Sequence, residues 1–254
     1  MGEAILSGLV NGGMFDPGSV HVAEPDNERR EFLASTYAVS CYATGSDISH
    51  PTTVILAIKP QVLPTICKEL TSVSSFDPKR IISIAAGITT TTLRSLFADG
   101  AIIRVMPNAP LMVGAGMSAV CVASDAPRTE GEIVREFFAL MGEAILIDES
   151  LLDAVTAISG SGPAYFALFA EELARAGVAI GLEPDEAGLL AVQTLRGTAR
   201  YLELTDASPE ELRAAVTSPK GTTEAAIEAF RARGLADVVM AAVQAAHKRA
   251  EELA

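Results

Sequence analysis

Two stretches of the chain bring together residue types that could do chemistry. The first is Thr217-Ser218-Pro219-Lys220-Gly221-Thr222-Thr223-Glu224. Ser218 before Pro219 reads as an N-cap with proline in the first helical turn, while Thr222 or Thr223 could instead cap a helix starting at Glu224. Either arrangement gathers the amide N–H groups of Gly221, Thr222 and Thr223 at a helix N-terminus, which favours an anion; plain capping is the structural alternative. Gly221 would let a ligand approach the backbone closely, and Lys220 reads as a solvent-facing charge. The second stretch is Ser159-Gly160-Ser161-Gly162-Pro163, which has the look of a phosphate loop or a serine nucleophile. No G-x-S-x-G is present and no histidine has an obvious partnering role, so tight helix packing is preferred over hydrolase chemistry.

The elements that must position these residues change character near residue 148. Before it, β-branched runs at 20–23, 54–58, 81–84, 102–105 and 119–122 alternate with helical stretches at 27–35, 61–73, 91–98 and 129–141. Strands apolar on both faces, separated by helices, are what a mostly parallel α/β sheet requires. After residue 148 the strand signal vanishes, and 151–181, 184–204, 209–216, 224–233 and 235–253 read as helices, with Pro184, Pro209 and Pro219 at helix starts. Gly160, Ala164, Ala167, Ala170 and Ala174 form a small-residue stripe at helical spacing, suited to close packing within the fold or against another subunit. The fold class expected is therefore α/β, a Rossmann-like sheet over residues 1–148, followed by an all-α substrate or dimerisation domain over 149–254. Ligands of open α/β sheets bind at the carboxyl ends of the strands, which singles out Glu24, Lys59-Pro60 and Ala85-Ala86-Gly87; ordinary strand-to-helix turns are the alternative.

A dinucleotide site should show G-x-G-x-x-G after the first strand, and no such match exists. The chain opens directly on a helix-like run from Met1, with Asn11-Gly12-Gly13 as its C-cap and loop. The first strand ends in Glu24, about twenty residues after Gly2, the separation expected between the glycine motif and a ribose-binding acid. Gly2 then reads as the last glycine of the fingerprint, with the preceding strand and earlier glycines absent.

Composition narrows the function. The formal charge is −13 and aromatics are 5% with no tryptophan, which excludes a nucleic-acid partner. Cys41, Cys67 and Cys121 are far apart and read as reduced core thiols of a cytoplasmic protein; His21, His50 and His247 have no ligand spacing, so no metal is expected. No signal peptide, myristoylation site or transmembrane helix is expected.

The segment 153–166, DAVTAISGSGPAYF, followed by 217–224, TSPKGTTE, resembles the signature of the pyrroline-5-carboxylate reductase family. Leu56-Ala-Ile-Lys-Pro-Gln61, Ser83-Ile-Ala-Ala-Gly87 and Arg104-Val-Met-Pro-Asn-Ala-Pro110 support it, and the resemblance covers essentially the whole chain. It implies hydride transfer from NADPH or NADH to the imine carbon of 1-pyrroline-5-carboxylate, the last step of proline biosynthesis, in a homodimer or an oligomer of dimers. By the same resemblance Glu149, Ser218, Gly221, Thr222 and Thr223 would hold substrate, with the Thr223 hydroxyl reaching the ring nitrogen or the carboxylate. Gly2, Glu24, Thr44, Ala57, Ile58, Lys59, Pro60, Ala85 and Ala86 would line the cofactor, the two alanines forming a low wall beside the nicotinamide. Thr44 stands where the family tends to carry asparagine. Glu24 favours ribose hydroxyls, while Arg29 and Arg30 could receive a 2′-phosphate. No acid/base residue is assigned, since the substrate can arrive as a protonated iminium. The alternative is a non-catalytic or cofactor-impaired paralogue, short of the first strand, that dimerises through its helical half.

Overall fold

The structure is a computed structural model and describes residues 1–13 and 15–253. It divides into two compact units, Met1–Ser161 with Ala246–Ala254, and Gly162–Ala245. In the first unit α1 (Gly2–Asn11) is followed by β1 (His21–Ala23), α2 (Asn27–Tyr37) and β2 (Ser40–Tyr42). Then come β3 (Thr53–Leu56), α3 (Leu63–Thr71), β4 (Arg80–Ser83), α4 (Thr90–Leu96), β5 (Ala101–Pro107), β6 (Gly116–Val122), α5 (Arg128–Ala139), β7 (Gly142–Leu146) and the short α6 (Leu152–Val155).

These strands form two sheets. β1 and β2 pair parallel, and β3-β4-β5-β6-β7 lie in that order, all parallel except β5 against β6. In a doubly wound sheet the strand ahead of the first helix joins the two parts. Among the described residues β1 pairs only with β2 and β3 only with β4, so the two sheets are separate.

Alternation along the central strands builds a core on each face. Ile82, Ile103 and Val120 pack with Ile5 of α1 and with Val134 and Phe138 of α5, while Ile81 and Ile102 pack with Leu63, Leu93 and Phe97. Cys67 and Cys121 are buried and all three cysteines are free; burial pushes both buried thiols up to about 11, which leaves them unreactive.

The second unit is helical: α7 (Gly162–Ala179), α8 (Pro184–Thr205), α9 (Pro209–Ala215), α10 (Thr222–Ala232) and the greater part of α11 (Leu235–Leu253). Pro184 and Pro209 occupy first turns as expected, and Ser208 with Glu211 closes a capping box on α9.

Four expectations are corrected. β2 and β7 were absent from the strand pattern: β2 is three residues long, and only Ala144 of β7 is buried. The helix expected over 151–181 is broken into α6, a π-helical turn at Thr156–Gly160 and α7. Pro163 explains the break, because a proline at that position has no N–H to donate to the carbonyl of Ser159. Gly160 therefore leaves the small-residue stripe; a Cβ there would meet Met106 Cε at 2.8 Å, so it faces β5. Finally, Pro219 does not start a helix. Gly221 is the N-cap of α10, with no side-chain cap, and neither Ser218, Thr222 nor Thr223 plays that part.

Candidate active site

At the carboxyl ends of β4 and β5 the first unit forms a small cleft. One wall is the turn Ala85-Ala86-Gly87, another is Arg104 and Met106 of β5, and a third is Asp153 and Thr156. Gly87 has φ +74°, which lets the chain turn sharply from β4 toward α4. Ala85 is buried and Ala86 exposed, so the turn offers a low methyl surface.

Glu149 sits behind this turn. Its carboxylate accepts from the Thr90 amide at 2.7 Å and from the Thr90 hydroxyl, and Arg104 Nη1 donates to it at 2.5 Å. Burial works to raise its pKa, but the Thr90 and Arg104 contacts outweigh burial and hold it below the usual glutamate range. Glu149 thus caps α4, taking a first-turn N–H that has no partner within its own helix. Asn108 does a parallel job: Nδ2 donates to the Ser159 carbonyl at 3.2 Å and Oδ1 accepts from Met117 N at 2.9 Å. Sequence reasoning passed over Arg104 and Asn108 as site elements, although both lie in the motif that carried the family resemblance.

The residues expected on the cofactor side lie at the start of α1 and just after the strands. Gly2 opens α1 beside Ala57, where an added Cβ would lie 3.1 Å from the Ala57 Cβ; this close approach is what a glycine allows. α1 has Met1 as N-cap with no side-chain cap, so its first-turn amides point outward. Lys59 is exposed and leads Pro60 into a short 3₁₀ turn, with Ile58 half-buried beside it. Thr44 follows β2, and its hydroxyl lies 2.6 Å from that of Ser46. Glu24 follows β1 and takes the Asp26 amide at 3.1 Å. Neither arginine near it is unengaged. Arg29 pairs with Glu3 and lies over the Phe32 ring, and Arg30 donates to the carbonyls of Glu24 and Pro25 at 2.8 and 2.7 Å. Uncapped amides at the α1 N-terminus, a glycine at closest approach, Lys59 and the Glu24 carboxylate are the donor and acceptor set that a dinucleotide's pyrophosphate and ribose need, so the residues present fit that group.

In the second unit, the loop Ser218–Gly221 turns through Lys220 at φ +59°, with the Gly221 amide bonded to Ser218 O at 3.0 Å and the Lys220 amide to Glu224 Oε2 at 2.6 Å. Of the amides expected to await an anion, that of Gly221 is therefore taken by the chain itself. Those of Thr222 and Thr223, in the first turn of α10, remain the available donors. Thr223 is half-buried, Thr222 exposed, and Lys220 exposed as expected. Among the described residues no group of His, Cys, Asp and Glu could hold a metal ion.

The fold and the strand-end site define a Rossmann-like NAD(P)-dependent oxidoreductase with a helical C-terminal unit. Residues 1–87 match the family described as NADP oxidoreductase, coenzyme F420-dependent, and residues 149–253 match pyrroline-5-carboxylate reductase dimerisation. Pyrroline-5-carboxylate reductases of Synechocystis and of Arabidopsis thaliana are 38% and 37% identical over 100% of this chain and 94% and 92% of their own. The solved structure of the Coxiella burnetii enzyme superposes with a TM-score of 0.93 at 32% identity, covering 100% of this chain and 94% of that one. That of Plasmodium falciparum, with NADP bound, gives 0.83 at 27% identity, over 100% of this chain and 94% of its own. The chain belongs to the pyrroline-5-carboxylate reductase family.

Proposed function

We propose that the protein reduces 1-pyrroline-5-carboxylate to proline with NADPH or NADH, as the last step of proline biosynthesis. The observation that carries this reading is similarity along the entire chain to reductases of that name, joined to a strand-end cleft walled by Ala85-Ala86-Gly87 and to the uncapped α1 N-terminus. The bound nicotinamide supplies the hydride. Ala85, Ala86 and Gly87 present a low surface for its ring, Lys59 and the α1 N-terminus neutralise phosphate charge, and Glu24 accepts from ribose hydroxyls. In the helical unit the Thr222 and Thr223 amides and the Thr223 hydroxyl hold the substrate carboxylate and ring nitrogen; Ser218 and Gly221 shape the loop that presents them. Catalysis is then chiefly positioning, which orients a ring already activated as an iminium. A homodimer, or an oligomer of dimers, in the cytoplasm goes with this reading. A non-catalytic paralogue is not favoured.

The test is oxidation of NADPH and NADH by the purified chain with pyrroline-5-carboxylate. Turnover comparable to other members of the family is expected; cofactor-dependent proline formation no faster than the uncatalysed background would sink the reading. Thr223→Val should raise the substrate KM about tenfold, the effect of one lost hydrogen bond to a charged group, and leave cofactor affinity nearly unchanged.

A further inference from the structure

Arg104 is an expensive residue where it stands. It lies inside β5, is 9% exposed, and its strand neighbours in register are Ser83 and Cys121. A buried ion pair of this kind adds little net stability, since apolar side chains of similar volume often serve as well. What the pair does have is reach. Through Glu149 it connects three segments distant in sequence: β5 at Arg104, the start of α4 at Thr90, and the entry to α6 at Glu149 itself. Thr90 is buried and lies three residues beyond Gly87, so fixing its amide and hydroxyl fixes the downstream end of the Ala85–Thr89 turn. The upstream end is held by Ser83, whose hydroxyl accepts from the Ala85 amide at 3.3 Å.

Arg104 also lines the cleft that this turn walls. A second clasp stands on the same strand's exit: Asn108 takes the Ser159 carbonyl that Pro163 leaves without an N–H, and so holds the π-helical turn next to Met106. We infer that Arg104, acting through Glu149 and Thr90, is a positioning residue for hydride transfer, holding the Ala85–Thr89 wall at a fixed distance from β5. Glu149 is accordingly an anchor of the cleft rather than a substrate ligand. The inference rests on the reductase reading for its kinetic consequence, but the anchoring itself does not.

The discriminating variant replaces both charges, Arg104→Met with Glu149→Met, so that no lone charge is left buried. A control removes another partly buried pair of the same unit, Arg80 with Glu130, in the same way; that pair takes no part in the cleft. Two readouts are taken. In cofactor-free protein, amide exchange of a peptide covering 85–93 should speed up about tenfold in the first variant and not in the control. In turnover, the first variant should lose about tenfold or more in kcat with substrate KM changed less than threefold, as small misplacements at a reacting centre do. The control should keep its kcat whatever stability it loses. Unchanged exchange over 85–93 overturns the anchor. Faster exchange with wild-type kcat overturns its role in positioning. A wild-type protein that fails to turn over would count against the reductase reading alone, with the exchange result still deciding the anchor.

Discussion

Glu149 shows how one side chain's surroundings set what it can do. A carboxylate with an amide, a hydroxyl and a guanidinium on it is held ionised, and its pKa lies below that of the unfolded chain. A depressed carboxylate contributes stability that is fully present above the ordinary glutamate pKa of about 4.3 and is lost as the pH falls through the folded value. Glu149→Gln, which leaves Arg104 buried without its counter-charge, should therefore lower stability by about 1–3 kcal/mol at neutral pH. The gap should narrow as the pH is taken down below the ordinary glutamate range, as the wild-type carboxyl itself becomes protonated. Urea midpoints of both proteins across that range measure it, and a gap independent of pH would mean that charge is not what Glu149 supplies. The sequence picked out this residue by resemblance and placed it near substrate; it could not show that Thr90 and Arg104, far away in the chain, both converge on it.

At the scale of elements, packing decides more than propensity. α5 lies on the sheet through Val134, Phe137 and Phe138, and Gly131 lets the helix come down onto it. Glycine inside a helix costs about 1 kcal/mol relative to alanine, so a surface argument would have Gly131→Ala stabilise. A Cβ at that position would instead overlap the Val122 methyl and stand 3.0 Å from Leu146 Cδ2. Overpacking of that kind costs about 1–3 kcal/mol, so the substitution should be neutral to destabilising by about 2 kcal/mol, read as a fall in urea midpoint. A rise in midpoint would show that β6 and β7 yield more easily than their packing implies. The same balance explains which elements were legible beforehand. β4, β5 and β6 are largely apolar runs buried on both faces, and β3 carries Val54-Ile55-Leu56, a pattern with few competitors. β2 and β7 are short or one-sided, so their pairing depends on neighbours that no local pattern encodes. Of the two starts left open for α10, Pro219 lies three residues early and Glu224 two residues late, because Ser-Pro and Thr-Thr are both good starts locally, and the Lys220–Glu224 contact is a feature of the folded loop. The π-helical turn had one overlooked signal, the proline at 163.

At the scale of the whole molecule, the helical unit leaves a large amount of apolar surface uncovered. Phe166 on α7, Leu189 on α8 and Val238 on α11 are 63%, 70% and 62% exposed, and they have many apolar neighbours in the same state. Single exposed hydrophobic residues are ordinary, but a helical unit with this many is a surface made to be covered. The match of residues 149–253 to a dimerisation family says what kind of surface it is. The small-residue stripe fits the same end, since Ala164 and Ala167 on α7 are exposed while Ala170 is buried. Burying such a face on a second copy removes apolar area worth about 25 cal/mol per Å², so assembly and stability should be linked, with thermal unfolding shifting upward as protein concentration rises. Leu189→Glu and Val238→Glu would each set a carboxylate into that surface. In sedimentation velocity the wild type should run as a dimer or larger species, and at least one of the two variants should shift toward monomer while keeping its helical circular dichroism. A wild type that stays monomeric at tens of micromolar would overturn the assembly, and variants that both assemble as the wild type does would place the interface elsewhere on the molecule.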